Sequence, residues 1–541
     1  MKKITIKSIL PAALMVLAWS SCTKMKDVGI MDTGGYTDTT AALKDAGAGG
    51  YMGVAIDYPA MVSNSSYSGI VKRDFNQVTF GNLMKHSSIV DNNGNMNFTN
   101  TDALLTSVGS MDVFGHTLGW HSQQNATWLK SYSGLTVPAP VELLANGGFE
   151  TGGTGLSNWA TYNAQNGSTV NPTSNAGEFR TGTRAMKVVA AVGEPANQWK
   201  VQVASDLFNT TSGKQYTVTY YVKAGSGSGS IRLSTQTSGG GSAQYQGDQS
   251  IPSSGFTLIT WTFTANSPQT RILFDMGASI NTYYIDDASV KEVIPAPTGA
   301  QIVLKIDTAL NTYVTTMVNR YKTKVKAWDV INELLDDNGN LRNNANSPLP
   351  TPTTTDWFVW SEYLGRDYAY KAFKYAEAAD PTATLFINDY NLESKPVKLD
   401  SLIKMVTELK TRGAKVDGIG TQLHVTRTTS YNSIDQMFIK LAATGLKIHV
   451  SELDVRMNPN AVATYSLTPM EENFQAQMYY YVIASYLKNV PKAQQYGITV
   501  WGVTDNTSWL YNGGKDYPLM YNTGYGRKQA YAAVLKALRG Q

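Results

Sequence analysis

Apolar and polar positions along this chain follow two alternating rhythms, and one long segment follows a third. Two short, almost unbroken apolar runs end in a carboxylate: Val325-Lys326-Ala327-Trp328-Asp329-Val330-Ile331-Asn332-Glu333 and Leu446-Lys447-Ile448-His449-Val450-Ser451-Glu452-Leu453-Asp454. Such runs read as strands buried on both faces, as in a parallel sheet. Trp357 to Ala379, Val397 to Thr411 and Met470 to Lys488 read instead as helices. Strand alternating with helix over roughly 340 residues predicts one (β/α)8 TIM barrel.

Between residues 141 and 294 the rhythm shortens to a period of two. Gly, Ser, Thr and Asn abound, and Gln215 to Val222, Ser230 to Ser234, Phe256 to Phe263 and Thr282 to Ile285 alternate apolar with polar. This pattern predicts an all-β jelly-roll or sandwich. Identical tripeptides, Pro138-Ala139-Pro140 and Pro295-Ala296-Pro297, bracket the segment like stiff hinges. The expected organisation is a barrel begun by residues 38–137, interrupted by an inserted domain at 141–294, and completed by 298–541.

Length and an apolar content of 42% provide for a large core and more than one domain. A net charge of +4 with no long basic run argues against nucleic acid as a partner. The amino terminus has Lys2, Lys3 and Lys7, an apolar stretch from Ile9 to Trp19, then Ser20-Ser21-Cys22. That is the layout of a secretory signal. Cys22 is the only cysteine, so no intramolecular disulfide forms, and its position resembles a bacterial lipoprotein processing site. The expectation is a signal peptide over residues 1–22, lipid on Cys22, and a flexible tether over 23–37. The protein would then be a secreted lipoprotein in the periplasm or at the outer membrane or cell surface, with the membrane as a partner through its lipid.

A carboxyl at the carboxyl end of a parallel strand stands where barrel enzymes keep their reacting groups. Two of them, Glu333 and Glu452, fit glycoside hydrolysis, in which one protonates the departing oxygen while the other attacks the sugar carbon or activates water. No His-x-x-x-His pair or cysteine cluster supplies a zinc site, and the chemistry needs no cofactor.

Seven stretches carry a closer likeness: FNQVTFGNLMK (75–85), GHTLGWHSQ (115–123), AWDVINE (327–333), FINDYN (386–391), GIGTQLH (418–424), HVSELDV (449–455) and GITVWGVTDNTSW (497–509). In this order they resemble glycoside hydrolase family 10, the retaining endo-β-1,4-xylanases, over nearly all of the chain outside the insertion. The resemblance implies xylan or xylo-oligosaccharides as substrate. It places GHTLGWHSQ on the third barrel strand, so that the insertion leaves from a strand-to-helix loop after that strand. Glu333 and Glu452, after the fourth and seventh strands, become acid/base and nucleophile. Asn332 would donate to the sugar 2-hydroxyl, and His424 would touch Glu452 while Asp454 orients it. Asn82, Lys85, His116, Trp120 and Gln422 would hold the sugar on the non-reducing side of the cut, with Trp501, Trp509 and Tyr390 lining the cleft. Gly81 stands where the family usually has a sugar-binding glutamate, and Gly119 where a bulkier aliphatic residue is usual.

The insertion opens with Leu144-Ala145-Asn146-Gly147-Gly148-Phe149-Glu150 and closes with Tyr284-Ile285-Asp286-Asp287-Ala288-Ser289-Val290. These ends resemble carbohydrate-binding modules of families 4 and 22. The resemblance implies a structural calcium held by Glu150 and Asp287. Trp199, Tyr245 and Trp261 are candidates for stacking on sugars or for the module's own core. Two other readings stand beside the xylanase: a barrel hydrolase of another β-glucan, and a surface glycan-binding protein of little or no activity. A pure binder has no use for Glu333, Glu452, Asn332 and His424 together.

Overall fold

The computed structural model describes residues 36–47, 50–241, 243–351 and 354–541. The expected signal peptide, Cys22 and nearly all of the expected tether lie outside the described residues. The chain forms two compact units, one of residues up to 129 together with 303–541, the other of residues 130–302.

The first unit is built on parallel strands β1 (Tyr51–Ile56), β2 (Gln77–Phe80), β3 (Asp112–Gly119), β4 (Val325–Asn332), β5 (Thr384–Asp389), β6 (Gly418–Thr421), β7 (Lys447–Arg456) and β8 (Gln495–Val500). Each pairs with its neighbour in sequence, and β8 returns to pair with β1, Tyr51 opposite Gly497, so the sheet closes into a barrel. Closure explains the unbroken apolar runs, because β4 and β7 face side chains within and helices without. Phe114, Ala327 and Phe386 pack inside with Tyr496, and His449 meets their rings edge-on.

The helices fall close to the predicted stretches: Pro396–Thr411 and Pro469–Asn489, the latter opened by a capping box between Thr468 and Glu471. The stretch from Trp357 to Ala379 is two helices rather than one, Trp360–Leu364 and Asp367–Ala379. Gly365 separates them at φ 56°, a left-handed turn that a helix cannot contain. Among the described residues no helix is long and apolar enough to cross a membrane.

Two further details differ from expectation. The β7 strand does not stop before Glu452 but runs on to Arg456, because its second half pairs with a short extra strand, His424–Thr426, His424 lying opposite Asp454. And the insertion does not leave straight from the loop after β3: a helix, Ala126–Ser133, comes first, and the chain resumes in the helix Gly299–Tyr321.

The second unit is two antiparallel sheets. One is ordered Thr257–Thr264, Gln215–Ala224, Asn281–Glu292, Ala185–Ala190, Thr169–Thr173; the other runs Gln249–Pro252, Ser228–Thr237, Gln269–Asp275, Val201–Ser205, Trp159–Ala164. Every second residue of Gln215–Ala224 is buried, as a half-covered strand requires. The inner faces meet around Phe149, Trp159, Tyr216, Tyr220, Phe274 and Tyr283. Its ends close on each other, Leu143 N–H donating to the Val290 carbonyl at 3.0 Å.

Candidate active site

At the carboxyl ends of the strands lies one cleft of about 650 Å3, and it gathers every barrel residue predicted for the site: Asn82, Lys85, His116, Trp120, Asn332, Glu333, Tyr390, Gln422, His424, Glu452, Asp454, Trp501 and Trp509. Strand ends far apart in sequence converge there because closure brings them around one rim.

Glu333 follows β4 immediately, with φ at 53°. A left-handed backbone at a non-glycine residue costs about 1–3 kcal/mol and persists only where its surroundings hold it. Here the Glu333 N–H donates to the Asn388 carbonyl at 2.8 Å, and Arg342 Nε donates to the Glu333 carbonyl at 2.9 Å. The side chain thereby turns into the cleft, where Gln422 Nε2 donates to Oε1 at 3.2 Å.

Glu452 is almost wholly buried. Asn388 Nδ2 donates to its Oε1 at 2.8 Å, and His424 Nε2 stands 3.3 Å from its Oε2. Burial alone would raise the carboxyl's pKa, but His424, His116 and Lys85 outweigh it, and the pKa falls below the usual carboxylate value. His424 gains from the same contacts: burial would neutralise it, yet Asp454 Oδ2 at 2.9 Å from Nδ1, with Glu452 on the other side, lifts its pKa to about 10. Asp454 Oδ2 also accepts from Trp509 Nε1 at 3.0 Å, which fixes the indole over the cleft.

The two glutamates are joined by a chain of amides. Asn388 Nδ2 donates to both Glu452 and Asn332 Oδ1 (2.9 Å), and Gln422 Nε2 donates to both Asn332 Oδ1 (3.2 Å) and Glu333. Each amide has two hydrogens and each is used. Ser451 Oγ donates to Asn388 Oδ1 at 2.7 Å, which sets the amide's orientation. Asn388 and Ser451 were not among the residues expected in the site. Asn388 lies within FINDYN, one residue from the end of β5, but nothing in the sequence separates it from an ordinary buried asparagine.

Around this pair, Lys85 is buried with Nζ 3.3 Å from Asn82 Oδ1 and 4.7 Å from the centre of the Trp120 ring. Burial lowers its pKa to about 8, against the pull of Glu452 and Glu333. His116 Nδ1 meets Asp329 Oδ2 at 2.9 Å, and its ring lies edge-on to Trp501. Tyr390 is held by Arg342 Nη2, which donates to its hydroxyl at 2.8 Å. Gly81 lines the cleft, and a Cβ there would meet only the Ile56 carbonyl, at an ordinary contact distance of 3.5 Å.

Such an arrangement, two carboxyls held by distinct partners in a barrel-top cleft with aromatic walls, belongs to the glycoside hydrolases in kind. The model of glycosyl hydrolase family 10 matches residues 40–141 and 292–537, and the chain belongs to that family. A carbohydrate binding domain model matches residues 141–276, inside the interruption. Endo-1,4-beta-xylanase A of Thermoanaerobacterium saccharolyticum is 37% identical over 235 residues, covering 42% of this chain and 18% of that protein. Exoglucanase XynX of Acetivibrio thermocellus is 37% identical over 234 residues, 42% of this chain and 19% of that protein. The chain therefore spans about a fifth of the length of these curated relatives. Among solved structures, a GH10 structure from Paenibacillus barcinonensis superposes with a TM-score of 0.55 at 22% identity, covering 92% of this chain and 97% of that one. Native xylanase10C from Cellvibrio japonicus gives 0.54 at 22% identity, over 93% and 73%. Both share the fold.

The carboxylates expected to hold calcium are bonded to protein donors in this structure. Glu150 accepts from the Thr183 and Arg184 N–H groups and the Thr183 hydroxyl; Asp287 accepts from Arg180 Nη1 at 2.7 Å and the Thr181 hydroxyl. Every carboxylate oxygen of the pair accepts from a protein donor, one of them cationic, and calcium would take the remaining oxygen lone pairs. Among the described residues no group of three or more His, Cys, Asp or Glu could hold a metal. Of the module's aromatics, Trp199 (43% exposed) and Tyr245 (58%) lie at the surface, while Trp261 packs against the core.

Proposed function

We propose that the chain is a retaining endo-β-1,4-xylanase, with an inserted module that binds the same polysaccharide. The observation that carries this reading is the opposite equipment of the two carboxyls. Glu452 is held ionised by His424 and Asn388, as a nucleophile must be, while Glu333 faces the cleft on the amides of Gln422 and Asn332, with no cation among the described residues paired to it at hydrogen-bond distance. In the first step a Glu452 oxygen bonds to the anomeric carbon, the bond to the leaving oxygen breaks, and that oxygen takes the proton of Glu333. In the second, water attacks the same carbon, Glu333 takes a proton from the water, and the Glu452 carboxylate departs. Two inversions return the β-anomer.

Asn332 serves the sugar 2-hydroxyl, a contact that strengthens as positive charge develops in the transition state. Lys85, Asn82, His116, Trp120 and Gln422 bind the non-reducing side, and Trp501, Trp509 and Tyr390 wall the cleft. Relatives named endo-xylanase support xylan as substrate, and one named exoglucanase makes β-glucan the comparison to run. In this reading the barrel spans 38–137 and 298–541 and the inserted module 141–294, and lipid on Cys22 would keep the enzyme at a membrane surface. Nuclear magnetic resonance during digestion of xylan and carboxymethylcellulose tests the function. Xylo-oligosaccharides released from xylan as the β-anomer support it, whereas an α-anomer, or products from carboxymethylcellulose alone, would overturn it.

A further inference from the structure

Behind Glu333 lies a second, much smaller space of about 10 Å3, walled by Glu333 with His121, Arg342, Trp360, Ser361 and Tyr368. Most of its polar groups are engaged. Arg342 bonds the Glu333 carbonyl, Ser347 and Tyr390; Ser361 donates to the Arg342 carbonyl at 2.6 Å; the Trp360 indole donates to Gln124 at 3.1 Å. Two groups are not. The Tyr368 hydroxyl and His121 Nδ1 are buried with no hydrogen-bond partner among the described residues. Buried polar groups are nearly always satisfied, and a polar-walled space of this size is about what a single water needs.

Gly119 is what admits the phenol. A Cβ there would stand 2.6 Å from Tyr368 Oη and 2.8 Å from Ile331 Cδ1, so any larger residue would push the hydroxyl away. On its other side His121 faces the acid/base, Nε2 lying 3.9 Å from Glu333 Oε2. That is longer than a hydrogen bond, but such contacts shorten when substrate settles. Burial, aided by the Arg342 and Lys398 charges, keeps the imidazole neutral, its pKa well below the ordinary value. A neutral imidazole has one proton and two places for it. On Nδ1 it would leave the Nε2 lone pair facing Glu333 Oε2; on Nε2 it makes that nitrogen a donor to Oε2, whether Glu333 is acid or, after giving up its proton, carboxylate, and leaves Nδ1 to accept.

We infer that Tyr368 is a positioning residue for Glu333: through one bridging water its hydroxyl donates to His121 Nδ1, fixing the Nε2–H tautomer that hydrogen-bonds the acid/base. The inference rests on the role proposed for Glu333, but the tautomer is measurable without substrate.

The test is long-range proton–nitrogen correlation spectroscopy on the full chain labelled with 15N-histidine, His121 being assigned by the loss of its signals in His121→Asn. The wild-type protein should show the Nε2–H pattern. Tyr368→Phe should show both tautomers in exchange, with kcat on xylan lower by about tenfold and KM unchanged, the scale of effect when a partner behind a functional group is lost. Gly119→Ala, which crowds the hydroxyl while keeping it, should move both readouts the same way and decides the matter if Tyr368→Phe does not fold. A wild-type proton on Nδ1, or His121 signals identical in wild type and both variants, would overturn the inference. Failure to hydrolyse xylan would count against the proposed function and leave the tautomer result intact.

Discussion

Asn388 Nδ2 lies 2.8 Å from Glu452 Oε1 and 2.9 Å from Asn332 Oδ1, so one buried amide holds both the proposed nucleophile and the residue proposed to receive the sugar. Hydrogen bonds to charged groups contribute about 1.5–3 kcal/mol. Asn388→Ala should therefore lower kcat/KM by roughly ten- to a hundredfold. Asn388→Asp should lower it further, by setting a second carboxylate against Glu452. Steady-state kinetics on xylan decide it; kcat/KM within twofold of wild type for the alanine variant would show that His424 alone suffices.

Glu333→Ala should separate the two steps. An aryl xyloside with a good leaving group needs little acid, so its first step should survive, while the second slows for want of a base. Added azide should restore turnover and yield a β-glycosyl azide. Absence of any azide product, with wild-type rates on the aryl substrate, would take Glu333 out of the mechanism.

How much of this was legible in the sequence depends on the residue. The apolar runs of β4 and β7 and the period-two segments of the insertion announced barrel and sandwich because burial on two faces and on one leave different patterns. Glu333, Glu452 and His424 stood out by chemistry and motif. Asn388 and Tyr368 did not, because their importance lies in which atoms a folded chain brings to them. The pairing that carries β7 past Glu452 to Arg456 was also hidden, since the strand His424–Thr426 is too short to leave a pattern. For Glu150 and Asp287 the motif suggested a calcium site, and here both carboxylates accept hydrogen bonds from the stretch Arg180 to Arg184.

The His424 pair should leave a mark on stability against pH. Its pKa is raised from 6.5 to about 10, so the stabilisation is complete below about pH 6.5 and is lost as pH climbs through about 10. Glu452 has the opposite sign: its pKa is lowered, and its share is lost as pH falls through that lowered value. Asp454→Asn removes the partner that holds the imidazolium. Its Tm deficit relative to wild type should be greatest near pH 6 and shrink toward pH 10; a deficit growing toward pH 10 would contradict the assignment.

Gly81→Glu starts from open space, since a Cβ there meets only the Ile56 carbonyl, at 3.5 Å. It should improve turnover of xylotriose more than of xylan, because short substrates cannot draw on distant subsites. Equal or poorer turnover of xylotriose would mean that the subsite is already supplied by other residues.

The central claim is that Glu452 forms a covalent bond with the sugar. Incubation with a 2-deoxy-2-fluoro-xylobioside bearing a good leaving group should stop turnover and add one glycosyl mass, because the fluorine slows the second step more than the first. Mass spectrometry of the digested protein should place that mass on Glu452, and Glu452→Ala should take up none. A label on Glu333 or any other residue, or inactivation of the Glu452→Ala protein at the wild-type rate, would contradict the account.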